Sequence, residues 1–225
     1  DWAKVSLAAR VDDHEIFDRQ FSPKAAVILK PSPDVAVRLT YNRAFKSPTL
    51  TQQRVLLPIQ QGVTIRGNGD GFRFASLFGA PLPERFVNGL PALQPEENDT
   101  YEIGFKGKLG DRAFVDVSGH LSRYKNFISD TIPISDIQNG VAVVGSDGTP
   151  FQEETISFTN FGQQDVVGVE MGLQVLASDQ VTLRGNLSAI DAKDLENANG
   201  LTQPFNSPEA TLNIGLTAND VGRIG

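Results

Sequence analysis

Four groups of residues in this chain carry side chains capable of chemistry. His120 falls between Asp116, Ser118 and Ser122, which together offer an acid, a base and a hydroxyl. Residues two apart on a strand form a ladder along one face rather than a convergent triad, so no catalytic residue is assigned and the chain is not read as an enzyme. Asp12, Asp13, His14, Glu15 and Asp18 could ligate a divalent cation, but such a run of acids is first a solvated loop. No metal site and no cofactor are expected. Gly67-Asn68-Gly69-Asp70-Gly71 lacks the lysine and the strand-to-helix setting of a phosphate loop, and is expected to be a flexible loop tip. Phe72, Phe74 and Phe78 lie among Arg66, Arg73 and Arg85. They form the best local candidate for ligand contact, with rings for stacking and Arg73 for carboxylate or phenolate oxygens.

The elements that must position these groups are long alternating segments. From Ala113 to Tyr124, Ala113, Val115, Val117, Gly119 and Leu121 share one face, and Asp116, Ser118, His120 and Ser122 the other. A soluble strand is usually about five or six residues long, whereas roughly nine to eleven tilted residues cross a bilayer core. The pattern recurs around Val5–Val11, Val35–Tyr41, Tyr101–Leu109, Val167–Val175, Val181–Ala189 and Leu212–Leu216. The segment from Pro23 to Lys30 fits less well, because Ile28 sits among the polar positions. About eight strands follow, in an all-β antiparallel up-and-down meander. The charged residues Arg38, Lys106, Lys108, Glu170 and Arg184 all fall on the polar face. A polar inside and an apolar outside invert a soluble barrel, which would have to desolvate those charges together.

Composition narrows the classes. The 225 residues are 40% hydrophobic with a mean hydropathy of -0.19 and no apolar run of helix-spanning length, so only a barrel could cross a membrane. No cysteine is present, which rules out a disulfide scaffold. A net charge of -7 argues against nucleic acid as a partner. No Lys or Arg occurs between Lys125 and Arg184, so the long excursion at about 125–160 is expected to be an acidic loop that keeps the surface hydrated.

The connectors set an orientation. Pro31-Ser32-Pro33-Asp34, Gly110-Asp111-Arg112 and Ser178-Asp179 read as tight turns, and they alternate with excursions at about 12–20, 43–99, 125–160 and 191–206. Bacterial outer-membrane barrels have short periplasmic turns and long extracellular loops, so the long side should face outward. Tyr41 and Tyr101 then fall near the outer ends of successive strands, as an aromatic girdle.

Arg10-Val11-Asp12 with His14, Phe21-Ser22-Pro23-Lys24-Ala25-Ala26 and Leu39-Thr40-Tyr41-Asn42-Arg43-Ala44-Phe45-Lys46-Ser47-Pro48 follow in order. Leu93-Gln94-Pro95-Glu96 then leads into Thr100-Tyr101-Glu102-Ile103-Gly104-Phe105-Lys106-Gly107, with Tyr124-Lys125-Asn126-Phe127-Ile128, Gly168-Val169-Glu170 and Asn206-Ser207-Pro208 beyond. In order and spacing the chain resembles the barrel of TonB-dependent outer-membrane receptors. The resemblance implies residues 1–225 as one partial barrel domain, a segment of a roughly 22-stranded barrel that is an open curved sheet by itself. It implies a parent with a plug domain and closing C-terminal strands outside this stretch, Gly222-Arg223-Ile224-Gly225 reading as a turn into the next strand. Implied partners are outer-membrane lipid, the plug, the TonB energising complex and a scarce small-molecule ligand such as a ferric siderophore. On that reading Arg38, Lys106 and Arg184 face the lumen. With Phe72, Arg73, Phe74 and Phe78 they are the expected ligand contacts, suited to an anionic, hydroxyl-rich or aromatic ligand. Two other readings stay open: a soluble extracellular all-β module of carbohydrate-binding type, and a small complete barrel acting as enzyme or adhesin.

Overall fold

A computed structural model describes residues 1–15, 17–192, 195–196, 202–203 and 207–219. In chain order the elements begin with β1 (Ala3–Asp12), β2 (Gln20–Ser32), β3 (Val35–Lys46), helix α1 (Leu50–Arg54), β4 (Leu56–Gln60), β5 (Val63–Arg66), β6 (Arg73–Ser76) and α2 (Glu84–Val87). They continue with β7 (Glu96–Leu109), β8 (Ala113–Lys125), β9 (Ile132–Pro133), β10 (Val141–Val144), β11 (Glu154–Ser157), β12 (Gln164–Leu176), β13 (Val181–Ala192), β14 (Leu195–Glu196), β15 (Thr202–Gln203) and β16 (Ala210–Ala218).

Eight of these form one antiparallel sheet in the order β1-β2-β3-β7-β8-β12-β13-β16, each beside its neighbour in the meander. The sheet is open: β1 and β16 occupy its two edges and do not pair with each other among the described residues. This is the expected eight-stranded meander. Tight turns close one end. Gly110 takes φ 65°, a left-handed conformation that costs glycine nothing, and Ser178 accepts at Oγ from the Val181 N–H (3.1 Å). The expected turn at Gly222–Gly225 and the Asn206 end of the last excursion lie outside the described residues.

Register turns the alternation into two faces. One row runs Leu29, Val37, Phe105, Val117, Met171, Leu187 and Leu212 across seven strands. The row beside it on that face runs Val5, Val27, Leu39, Ile103, Gly119 and Val169. Arg38, Ser118 and Glu170 belong to the opposite face, and Ile28 is there too, paired with Arg38, which explains its poor fit. The apolar face is uncovered: Leu7 is 77% exposed and Ile214 79%. A water-soluble sheet buries its apolar face, so the soluble-module reading fails here.

What is buried lies in the long connectors. Val141, Ala142, Val143, Ile134, Phe161 and Phe86 make a small core outside the sheet. Connector 47–95 and connector 126–163 are interlocked, β6 pairing antiparallel with β10 and β5 parallel with β11. The resulting four-stranded sheet has the order β4-β5-β11-β9, so the two connectors fold into a single cap. The expectation that the long loop at about 125–160 only hydrates the surface is thereby corrected, since its Val141–Val144 stretch is the most deeply buried apolar segment described. The Gly67–Gly71 segment is no loose tip either. Asn68 is 1% exposed, and its Nδ2 donates to the carbonyls of Pro91 and Phe158, each at 3.0 Å.

Candidate functional site

Arg38 and Arg184 stand on the polar face and line one open cleft of about 470 Å³, with Ser118, Glu170, Asn186 and Asn213. The cleft's two sides differ in how their charges are spent. On the β3-β7-β8 side Arg38 is ion-paired with Glu102, and Lys106 Nζ lies 3.1 Å from Asp116 and 5.3 Å from the centre of the Phe114 ring. Both cations expected to greet a ligand are therefore partly neutralised. Internal pairs of this exposure are worth only about 0–1 kcal/mol, so a strong external anion can still compete for them. On the β12-β13-β16 side, Arg184, Glu170, Asn186 and Asn213 make no side-chain hydrogen bond or ion pair with any described residue. That half of the wall keeps its hydrogen-bonding capacity for something else.

The aromatic group sits in the cap. Phe72 exchanges backbone hydrogen bonds with Leu90 (both 2.8 Å), and Arg73 opens β6 as an exposed cation. Phe74 meets Phe86 edge-on at 5.0 Å, and the Arg85 guanidinium lies 4.6 Å over that same ring. Phe78 is 70% exposed and leans on Gly140, where a Cβ would come within 2.5 Å of its ring. Phe72 and Phe74 are half-buried and serve the cap's own packing, while Arg73 and Phe78 remain presentable. No hydrogen bond, ion pair or ring contact joins the cap aromatics to Arg38, Lys106 or Arg184 among the described residues. They form two separate stations, one on the wall and one above it.

The remaining groups do not converge. Ser122 is 3.1 Å from Thr100, Asp116 is taken by Lys106, and His120 lies against Gly168, so the ladder stays a ladder. Arg10 pairs with Asp12, Arg19 with Asp13 (3.3 Å), and His14 stacks on Phe17 at 4.3 Å, which spreads the acidic cluster apart. No group of three or more potential metal ligands occurs among the described residues.

Two features escaped the sequence reading. Just beyond the Tyr41–Tyr101 pair, whose rings are 5.0 Å apart, the apolar face becomes a row of alternating charge: Arg43, Asp99, Arg123 and Asp165. Arg43 grips Asp99 with two hydrogen bonds (2.8 and 2.9 Å), Tyr41 donates to the same carboxylate (2.9 Å), and Arg123 lies 3.4 Å from Asp165. Residue parity from Tyr41 and Tyr101 carries that signal. The second is Asn160, whose side chain accepts from the Gln94 N–H (2.8 Å) and donates to the carbonyls of Gln94 (3.0 Å) and Asn126, pinning both connectors at their base.

From the tyrosine row to Leu109 the apolar face spans eight residue steps. That is about 27 Å along a strand, or about 21 Å of height at a tilt near 40°, close to the roughly 25 Å band of an outer-membrane barrel. The family model for the β-barrel of TonB-dependent receptor-like proteins matches residues 1–222. The chain belongs to this family. Members of the family are outer-membrane proteins. No curated protein matches the chain. Among solved structures, the TonB-dependent receptor barrel is similar to the ferric enterobactin receptor PfeA of Pseudomonas aeruginosa in complex with enterobactin (20% identity, TM-score 0.65, 96% of this chain and 28% of that one). It is also similar to the siderophore receptor PirA of Pseudomonas aeruginosa (21%, 0.62, 98% and 34%) and to the FrpB iron transporter of Neisseria meningitidis (15%, 0.54, 89% and 25%). At these identities the likeness is one of fold. The chain spans about a quarter to a third of the length of these receptors.

Proposed function

We propose that residues 1–225 are part of the barrel wall of a longer outer-membrane receptor that imports a scarce anionic ligand of the ferric-siderophore kind. The family match over residues 1–222 supports the uptake role. The observation that carries the ligand's charge is Arg184, a cation without an ion-pair partner among the described residues, in a lumen-side cleft that it shares with Asn186, Asn213 and a likewise unspent Glu170. A cation on a low-dielectric wall focuses its field into the pore and draws anions toward it. Arg38 and Lys106 extend the basic side by exchanging Glu102 and Asp116 for the ligand, and Arg73, Phe72, Phe74 and Phe78 make the first encounter at the cap. Import requires a plug domain of the parent protein beyond this stretch and, as a separate partner engaged through the parent's N-terminal part, the TonB energising complex.

The test is charge reversal of Arg38, Lys106 and Arg184, singly and together, in the full-length receptor. Binding of a panel of ferric siderophores, ferric enterobactin included, is measured across ionic strength. Weaker binding with a flatter salt dependence is expected. Unchanged affinity and salt dependence in a folded barrel would remove these residues from the ligand's path.

A further inference from the structure

The sheet within the cap ends on a strand that nothing covers. β4 pairs with β5 on one side and is open on the other among the described residues. All five of its residues are exposed, with Leu56 at 64%, Leu57 at 50% and Ile59 at 48%, and Leu50 just before it reaches 74%. Leu56 and Leu57 point to opposite sides, so both faces of the strand are apolar. Residues 55–65 carry no charge at all. Edge strands that live in water are guarded by charge, bulges or cover. Here Pro58 withholds one donor and the register shifts between Pro58 and Gln60, but no Lys or Glu interrupts the apolar run. Single exposed leucines need no explanation, whereas a strand apolar on both faces with a free hydrogen-bonding edge is built to be covered.

We propose that β4 is the docking edge for an extended, uncharged, apolar segment of another long connector of the same parent chain, lying outside residues 1–225. The proposal rests on the barrel-segment reading above. The cap supplies the precedent: β4 and β5 come from the first long connector, β9 and β11 from the second, and the two join edge to edge. β4 lies at the end of this sheet away from the second connector's strands, and on that side of the first connector the wall carries only the short connector 13–19 before its open edge at β1. The main sheet is likewise open at β1, and similar receptors are about three to four times longer, which leaves ample chain for further connectors on the same rim. Neighbouring connectors are tethered side by side, so a segment of the same chain reaches β4 at a far higher effective concentration than a second copy or a separate protein. Main-chain hydrogen bonds supply the affinity, and Leu56, Leu57 and Ile59 the apolar contact.

The experiment places a photo-crosslinking amino acid at Leu57 or Ile59 of the full-length receptor in outer membranes, with exposed Asp147 of the cap as control position. Expected is an intramolecular crosslink from 57 and 59 to a residue outside 1–225, and none from 147. A crosslinked dimer, a crosslink to a different protein, or no crosslink would each overturn the proposal. Hydrogen exchange provides a readout without the bulky probe. The amides of Leu57 and Ile59 should exchange about tenfold or more slowly than that of Gln61. L57K should abolish this protection while leaving Val141–Val144 protected, and unprotected wild-type amides would also overturn the proposal. Recovery of the receptor outside the outer-membrane fraction would instead sink the underlying barrel reading, which separates the two failures.

Discussion

The imidazole of His120 occupies the space where its cross-strand partner Gly168 would carry a side chain. A Cβ built on Gly168 falls 2.2 Å from Cε1 and 2.6 Å from Nε2 of that ring. Gly168→Ala should therefore expel the ring or distort the β8–β12 pairing, at a cost of about 1–3 kcal/mol typical of overpacking. Thermal unfolding of the purified receptor measures it. Gly119→Ala, where the nearest atom is 3.8 Å away, should be nearly neutral, and His120→Ala should relieve the Gly168→Ala defect. Equal effects at Gly119 and Gly168 would refute the steric account.

Asn160→Ala should loosen both connectors at once. Its loss leaves the Gln94 N–H and the Gln94 and Asn126 carbonyls without their partner, at about 1–3 kcal/mol in all for groups partly reachable by water. Hydrogen exchange mapped along the chain should accelerate in 47–95 and in 126–163 together. Acceleration confined to one connector would show that the cap is not a single unit.

Asp99→Asn should destabilise the barrel more than changes at exposed ion pairs such as Arg54 with Asp70. Asp99 is 5% exposed and holds Arg43 and Tyr41 at the edge of the apolar band. Arg43 keeps some access to water, so the loss should come at or below the roughly 3 kcal/mol lower end for breaking a buried pair. Denaturant unfolding in detergent micelles decides, and parity with Asp70→Asn would contradict the boundary role.

Spin labels at Leu183 and Arg184 should report opposite environments. Consecutive residues of β13 lie on opposite faces, Leu183 beside Val175 and Leu216, Arg184 beside Gln174 and Gly215. In the reconstituted receptor a label at 183 should collide with oxygen in lipid, and one at 184 with a water-soluble relaxation agent. The reverse would mean a register shifted by one residue.

The meander and its faces were legible because period-two alternation is a local signal that survives without knowing what pairs with what. Val115, Val117 and Leu121 could be placed on one apolar face from spacing alone. The extent of the strands was not, since Arg43 and Asp99 break the apolar pattern and read as loop, although their mutual pairing carries β3 and β7 beyond the apolar band. The cap was invisible for a different reason. Val141 pairs with Ser76 of β6, 65 residues back along the chain, and such long-range packing leaves no periodic trace in either segment. Of the expected ligand contacts, Arg184 was found with its unspent charge, whereas the partners that occupy Arg38 and Lys106 came from register across neighbouring strands.

The parallel pairing of β5 with β11 also favours an order of assembly. Ser157 Oγ donates to the carbonyl of Arg66, 91 residues back along the chain, and between them run β7 and β8, two complete crossings of the sheet. Loop-closure entropy makes so distant a contact expensive until the intervening strands have drawn its ends together. Closing the cap is therefore cheaper once those crossings are laid in register, which makes a closed cap a sign of a correctly threaded wall.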